Sequence, residues 1–204
     1  MNYQAELQRI NSKYYSKIKN DYSKYIRNFE RIPDMRYKVS IVPDQKCINE
    51  FSDIAPGKAR GKCDTKTGYI YIRESAFCEQ VLVHEFIHRL SRNKIKIKRF
   101  SKQWVEGIAI PDEKLPLVGL NEVLTEWLTF QITGIQEPNS YQRLFYYIEE
   151  IELHPHISSS DTLETIIECY FKSNYNAVAY KMYDLYGDNA VKILSQLEDD
   201  VFRI

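Results

Sequence analysis

Residues 81–90 have the sequence VLVHEFIHRL, and the interpretation of the whole chain starts from this stretch. Its large apolar residues recur at steps of three and four, which is the spacing of a helix with one side buried. The pattern continues in both directions and predicts a helix over 76–91, with Ser75 as a candidate N-cap. The apolar positions of this helix are Phe77, Val81, Leu82, Phe86, Ile87 and Leu90.

The same helix carries His84 and His88, with Glu85 directly after the first histidine. Residues four apart lie on one face of a helix, roughly 6 Å from each other. Two imidazoles at that separation can reach one zinc ion at roughly 2.1 Å. Glu85 then lies beside the metal, where a carboxylate can act as a base toward a water molecule. The H-E-x-x-H spacing therefore supplies two metal ligands and a base from one turn of helix.

A catalytic zinc site needs a third protein ligand and one open coordination position. Glu122 and Glu126 follow Asn121 in a later segment and would share one face of a helix. Two acids on one helix face repel each other, but around a cation each has a role: one binds the metal, and the other accepts the free N–H of a ligand histidine. A solvated acidic face is the alternative. His154 and His156 are further candidate ligands.

Taken together, the H-E-x-x-H motif at 84–88 and the N-E-x-x-x-E motif at 121–126 resemble the gluzincin branch of the zincin metallopeptidases, the thermolysin-like group. The resemblance covers residues 69–129. The gap between the two motifs is longer than in thermolysin, so residues 92–118 are expected to form an insertion, either a strand pair or a loop at the rim of the cleft.

The family pattern implies a role for each matching residue. By this resemblance His84, His88 and Glu122 are the zinc ligands, and Glu85 is the general base. Glu126 is the acid that orients a ligand histidine, with His84 as the expected partner.

The resemblance also implies where a substrate would bind. Zincins pair the substrate peptide with an edge strand above the metal. The segment expected to form that strand is Tyr69, Ile70, Tyr71 and Ile72. A further donor must stabilise the oxyanion of the reaction. The candidates for this role are His154, His156, Tyr141, Tyr146 and Tyr147.

The expected function is a zinc metallopeptidase that binds one Zn²⁺ per chain. It would hydrolyse peptide bonds of a peptide or protein substrate through a zinc-activated water, with Glu85 as the general base. Two alternatives stay open: a zincin-like module that binds zinc without catalysis, and a protein that binds its partner through a basic face. Within the enzyme class, an effector that cleaves one protein and a housekeeping peptidase both fit the sequence.

The rest of the pattern predicts an α+β fold, with a long N-terminal helix, a small N-terminal sheet and a mostly helical C-terminal half. We expect one zincin-like domain over 1–204, divided into an α/β upper part at 1–118 and a helical lower part at 119–204. The N-terminal helix is predicted over 3–29, ended by Pro33. Strands are predicted over 37–42 and 69–73, residues 52–68 as a loop, 92–103 as a strand or an exposed loop, and 104–118 as an irregular connection. The later helices are predicted over 121–133, 140–153, 161–173 and 175–198.

Charge is unevenly spread although the formal net charge is zero. Residues 1–105 hold 22 Lys and Arg against 11 Asp and Glu, and the remainder reverses this balance. Attraction between the two halves is one interpretation, and a basic face for an acidic partner is the other. No nucleic-acid motif accompanies the basic charge, so nucleic acid is not an expected partner. No apolar stretch is long enough to span a membrane. Without a signal segment, a cytoplasmic location is the default expectation, with export by a specialised route left open.

Overall fold

Helices dominate the described part of the structure. The structure is a computed structural model, and it describes residues 2–26, 34–44, 46, 60–98, 101–109, 116–136, 141–153 and 159–203. The first part of the described chain contains α1 (Tyr3–Tyr22), β1 (Val39–Val42), β2 (Gly61–Cys63), β3 (Ile70–Arg73), α2 (Glu79–Leu90), β4 (Arg92–Lys98) and β5 (Ser101–Glu106). The remainder contains α3 (Val118–Thr133), α4 (Tyr146–Leu153), α5 (Ser159–Lys172), α6 (Tyr175–Tyr186) and α7 (Ala190–Arg203). The expected mixture of α and β structure, mostly helical, is confirmed.

Helix α1 packs one face on the core, and side chains on a neighbouring face contact the start of α2. The buried residues of α1 recur every three or four positions, as the sequence predicts: Leu7, Ile10, Tyr14 and Ile18. On the neighbouring face, Arg9 and Lys13 form ion pairs with Glu79, the first residue of α2. These contacts link α1 to the first turn of α2, the helix that carries the two motif histidines.

The end of α1 and the start of α2 differ from the sequence prediction. Helix α1 ends at Tyr22, before the predicted residue 29; residues 27–33 lie outside the described residues. Helix α2 begins at Glu79, with Cys78 at its N-cap position. Ser75 instead lies in a short 3₁₀ turn over Glu74–Ala76, so it does not cap α2.

The strand order of the first sheet differs from the prediction that residues 69–72 form an edge strand for the substrate. Its order is β1-β3-β2, with β3 parallel to β1 and antiparallel to β2. The predicted edge segment Tyr69, Ile70, Tyr71 and Ile72 is therefore wrong as an edge, because Ile70–Ile72 pairs with a strand on each side. A substrate strand cannot add to backbone groups that already have partners. Among the described strands the edge nearest α2 is β2, which lies in the segment that the sequence predicts as a loop.

The second sheet is an antiparallel hairpin of β4 and β5 directly after α2. It resolves the open prediction for 92–103 in favour of strands at the described residues, 92–98 and 101–103. The second strand continues through Glu106, so the predicted irregular connection over 104–118 begins too early. The Gly107 N–H donates to the Ser91 carbonyl and closes the base of the hairpin against the end of α2.

Helix α3 is central to the helical part and packs on both α2 and α7. Its crossing with α7 is close: a Cβ added to Gly119 would lie 2.7 Å from the Cα of Glu198. Glycine permits this approach because it has no side chain. Within the described residues, no helix is both long and apolar enough to cross a membrane.

Candidate metal centre

Helix α2 presents its two histidines toward α3. Most of α2 is buried, with Leu82 and Phe86 fully so, because it lies between the first sheet and α3. His84 and His88 are one turn apart, with side chains that are 13% and 7% exposed. The sequence prediction of a buried helix that carries both imidazoles on one side is confirmed.

Three donor atoms meet between α2 and α3. The Nε2 atoms of His84 and His88 lie 3.1 Å apart. The Oε2 atom of Glu122, on α3, lies 3.7 Å from the first and 3.5 Å from the second. Donor atoms roughly 2.1 Å from a tetrahedral zinc ion lie about 3.4 Å from one another. His84, His88 and Glu122 could therefore hold a metal ion and leave a fourth position open.

Glu126 lies one turn further along α3 and contacts the outer nitrogen of His84. Its Oε2 is 2.9 Å from His84 Nδ1. Its other oxygen, Oε1, accepts a hydrogen bond from the Gln80 side chain. A carboxylate at Nδ1 favours the tautomer with hydrogen on Nδ1, which leaves the Nε2 lone pair free to face the metal position. The predicted partnership of Glu126 with His84 is thus present in the structure.

A second acid, Glu106, approaches the outer nitrogen of His88. Its Oε2 lies 3.9 Å from His88 Nδ1. Both His88 Nδ1 and Glu106 Oε1 are buried without a hydrogen-bond partner among the described residues. Asn121, the first residue of the second motif, does not serve His88: its Oδ1 accepts the Ile108 N–H and so holds the chain that leaves β5.

Sequence reasoning missed Glu106. The residue ends a basic segment and is the only acid between Glu85 and Asp112. That isolation is the one signal in the sequence, and it does not say which atom the carboxylate faces. Its place beside His88 depends on how the β4–β5 hairpin folds back on α2.

Glu85 lies beside the cluster and under strand β2. The residue is only 7% exposed. A Cβ on Gly61, in β2, would lie 2.8 Å from Glu85 Oε1 and 2.9 Å from its Cγ. A glycine is therefore needed there for the strand to pass over the carboxylate without displacing it. Burial raises the pKa of Glu85 to about 7, against the opposing attraction of His84 and His88.

Charges in the cluster stabilise one another in the metal-free protein. Burial alone would raise the pKa of Glu122, but the two histidines hold it well below its usual value. Burial alone would lower the pKa of His84, but Glu122 and Glu126 raise it well above its usual value. The site is thus suited to a positive charge between these carboxylates, which a bound cation would also supply.

Known protein families, curated proteins and solved structures were compared with this chain, and none matches it. The chemistry of the site therefore has to be argued from its own geometry.

The candidate oxyanion donors occupy different places. Tyr141 is close to the cluster, with its ring centre 6.4 Å from that of His84. Tyr147 instead donates to Asp200 on α7 at 3.1 Å and packs its ring on Tyr146, which is 49% exposed. The remaining candidates, His154 and His156, lie outside the described residues.

Proposed function

We propose that this protein is a zinc-dependent metallopeptidase of the gluzincin type with a zincin-like fold. One observation carries the proposal: the Nε2 atoms of His84 and His88 and an oxygen of Glu122 lie 3.1 to 3.7 Å apart, with Glu85 beside them. Two imidazoles, one carboxylate and an open position are a typical ligand set of catalytic zinc.

Zinc bound by these three side chains would lower the pKa of a coordinated water toward about 7. Glu85 takes the proton from the attacking water and returns it to the leaving amine. In the metal-free protein, burial raises the pKa of Glu85, and a raised pKa makes a carboxylate a better proton acceptor. Glu126 holds the ring of His84 through the 2.9 Å contact to Nδ1, and Glu106 is the acid that faces the outer nitrogen of His88 at 3.9 Å.

Strand β2 is the best candidate for the substrate edge. It pairs with β3 on one side, and no other described strand pairs with its second side. Gly61 in this strand lies directly over Glu85. A peptide that adds to β2 as a further strand would therefore place a backbone carbonyl near the proposed base.

Tyr141 is the best of the candidate oxyanion donors. It begins the 3₁₀ turn Tyr141–Leu144 that follows α3, and burial raises the pKa of its hydroxyl, so the group keeps its proton at neutral pH. A protonated hydroxyl near the metal position can donate a hydrogen bond to the developing oxyanion.

The decisive variant is Glu85→Gln, measured for zinc content and for hydrolysis of fluorescein-labelled casein. We expect the wild type to hold one zinc ion per chain and to release labelled fragments, and the variant to hold zinc without hydrolysis. Glu168→Gln, an exposed acid on α5, is the matched control and should keep both properties.

Each other outcome has a distinct meaning. An active Glu85→Gln variant would disprove the role of the base. A wild type that binds zinc but cleaves nothing would favour the zinc-binding module without catalysis. A wild type purified without a histidine tag that holds no zinc would favour the partner-binding protein.

A further inference from the structure

The β4–β5 hairpin has two chemically different faces. Its register pairs Arg92 with Glu106 and Lys94 with Trp104. Residues directly opposite in an antiparallel pair point to the same side, and alternate residues along a strand share that side. Arg92, Lys94, Trp104 and Glu106 therefore lie on one face, together with Lys102. We call this set the basic face.

The opposite face is fixed to the protein. Val105 is 2% exposed. Its cross-strand partner, Asn93, donates to the Phe171 carbonyl at 2.8 Å and to Ser173 Oγ at 3.0 Å. Because this side of the hairpin is anchored, the basic face has a defined orientation.

One end of the basic face adjoins the metal centre. Glu106 faces His88 at 3.9 Å, as described above. Across the hairpin, the Arg92 guanidinium donates to the carbonyls of Thr65 and Lys66, both at 2.8 Å. Thr65 and Lys66 belong to the turn directly after β2. The basic face therefore begins where the proposed substrate edge ends.

Apart from Glu106 at the end next to the metal centre, the charged residues of this face are all positive. Residues 92–103 contain Arg92, Lys94, Lys96, Lys98, Arg99 and Lys102 and no Asp or Glu. Lys94 and Lys102 are exposed, and neither occurs in the ion pairs found among the described residues. Arg92 bonds backbone carbonyls and stacks on Trp104, with its guanidinium carbon 4.8 Å from the ring centre.

We propose that the basic face binds an acidic segment of the polypeptide substrate, next to the bond that is cleaved. This inference rests on the proposed function, because it names the class of substrate for the same cleft. Charge complementarity and continuity with β2 favour a polypeptide. A single-stranded nucleic acid stacks successive bases on several aromatic side chains, whereas Trp104, 38% exposed, is the one aromatic member of the basic face.

The test measures binding on the Glu85→Gln variant, so that no hydrolysis is needed. The probes are fluorescein-labelled peptides with the same neutral centre, flanked by glutamates, glutamines or lysines. We expect the glutamate peptide to bind about tenfold more tightly than the glutamine peptide, and the difference to shrink as ionic strength rises.

Charge reversal at Lys94→Glu and Lys102→Glu together should abolish this preference. The control pair, Lys19→Glu and Lys192→Glu, changes net charge equally at exposed sites on α1 and α7 and should retain it. Equal binding of the three peptides, or equal loss in both pairs, would overturn the proposal. Tighter binding of a polyuridine oligonucleotide than of the glutamate peptide would also overturn it, in favour of nucleic acid.

The two proposals fail separately. Selective binding of the glutamate peptide by a protein that cleaves nothing would support the basic face and count against the peptidase. Hydrolysis of neutral and acidic peptides at equal rates would support the peptidase and count against the basic face.

Discussion

Replacement of Glu126 by Gln tests whether this residue sets the tautomer of His84. The carboxylate is 5% exposed and accepts two hydrogen bonds, one from the Gln80 amide and one at 2.9 Å from His84 Nδ1. A glutamine side chain has only one acceptor oxygen, so its NH₂ group must face one of the two donors. If it faces His84, hydrogen moves to Nε2 and blocks the lone pair that would bind the metal.

The expected loss can be stated in magnitude. Removal of a partner that orients a ligand histidine typically lowers metal affinity by about 10- to 100-fold. That corresponds to about 1.4 to 2.7 kcal/mol of binding free energy. At a fixed free zinc concentration, zinc should stabilise the variant less than the wild type by the same free energy. For a domain of this size, the rise in Tm on adding zinc should therefore be smaller by roughly 3 to 10 °C.

The assay is competition for zinc between the protein and a chromophoric chelator, followed by thermal unfolding with and without zinc. Glu168→Gln again serves as the control, because that acid is exposed and pairs with Lys172 on α5. If Glu126→Gln binds zinc as tightly as the wild type while the fold is intact, the carboxylate does not orient His84 and the argument fails.

Three other predictions concern the side chains of Glu106, Tyr141 and Glu85. Glu106→Gln should weaken zinc binding by less than the Glu126 variant, about 3- to 10-fold, because its oxygen is 3.9 Å from His88 Nδ1; unchanged affinity in the chelator assay would remove it from the site. Tyr141→Phe should lower kcat by about 100-fold with little change in KM, since the hydroxyl would act only on the transition state; an unchanged kcat would exclude it. In the metal-free protein the pKa of Glu85 is about 7 in the folded state, against 4.5 for the free group. Between these two pH values the folded state therefore keeps a proton on Glu85 that the unfolded state has already lost. The free energy of unfolding of the wild type, measured in urea, should therefore fall by up to about 3 kcal/mol as the pH rises through this window. Glu85→Gln should not show this fall, because glutamine does not titrate. Parallel pH profiles for the two proteins would contradict this last prediction.

The spacing of residues along the chain was enough to predict much of the candidate metal centre. His84 and His88 are four apart on a helix, so their proximity follows from helical geometry alone. Glu122 and Glu126 share a face of α3 for the same reason. The sequence could not supply the distance between these two helices. The resemblance to a known motif pair supplied the expectation that they meet.

Strand assignments were less predictable. The three residues of β2 are too few to show an alternating pattern, and they form a strand because β3 offers paired backbone groups. Without β2, the segment at 69–72 looked like an edge. Once β2 is placed, that segment becomes the middle strand, and the edge above Glu85 moves to Gly61.

The sequence by itself determined which helices form and which side chains each one presents, because helical periodicity is a local property. Only the tertiary structure decided that Glu122 reaches within 3.7 Å of both Nε2 atoms, and that Glu106 faces His88. Those distances depend on how α3 and the β4–β5 hairpin pack on α2. Packing between distant segments is set by the whole core, which no short motif encodes.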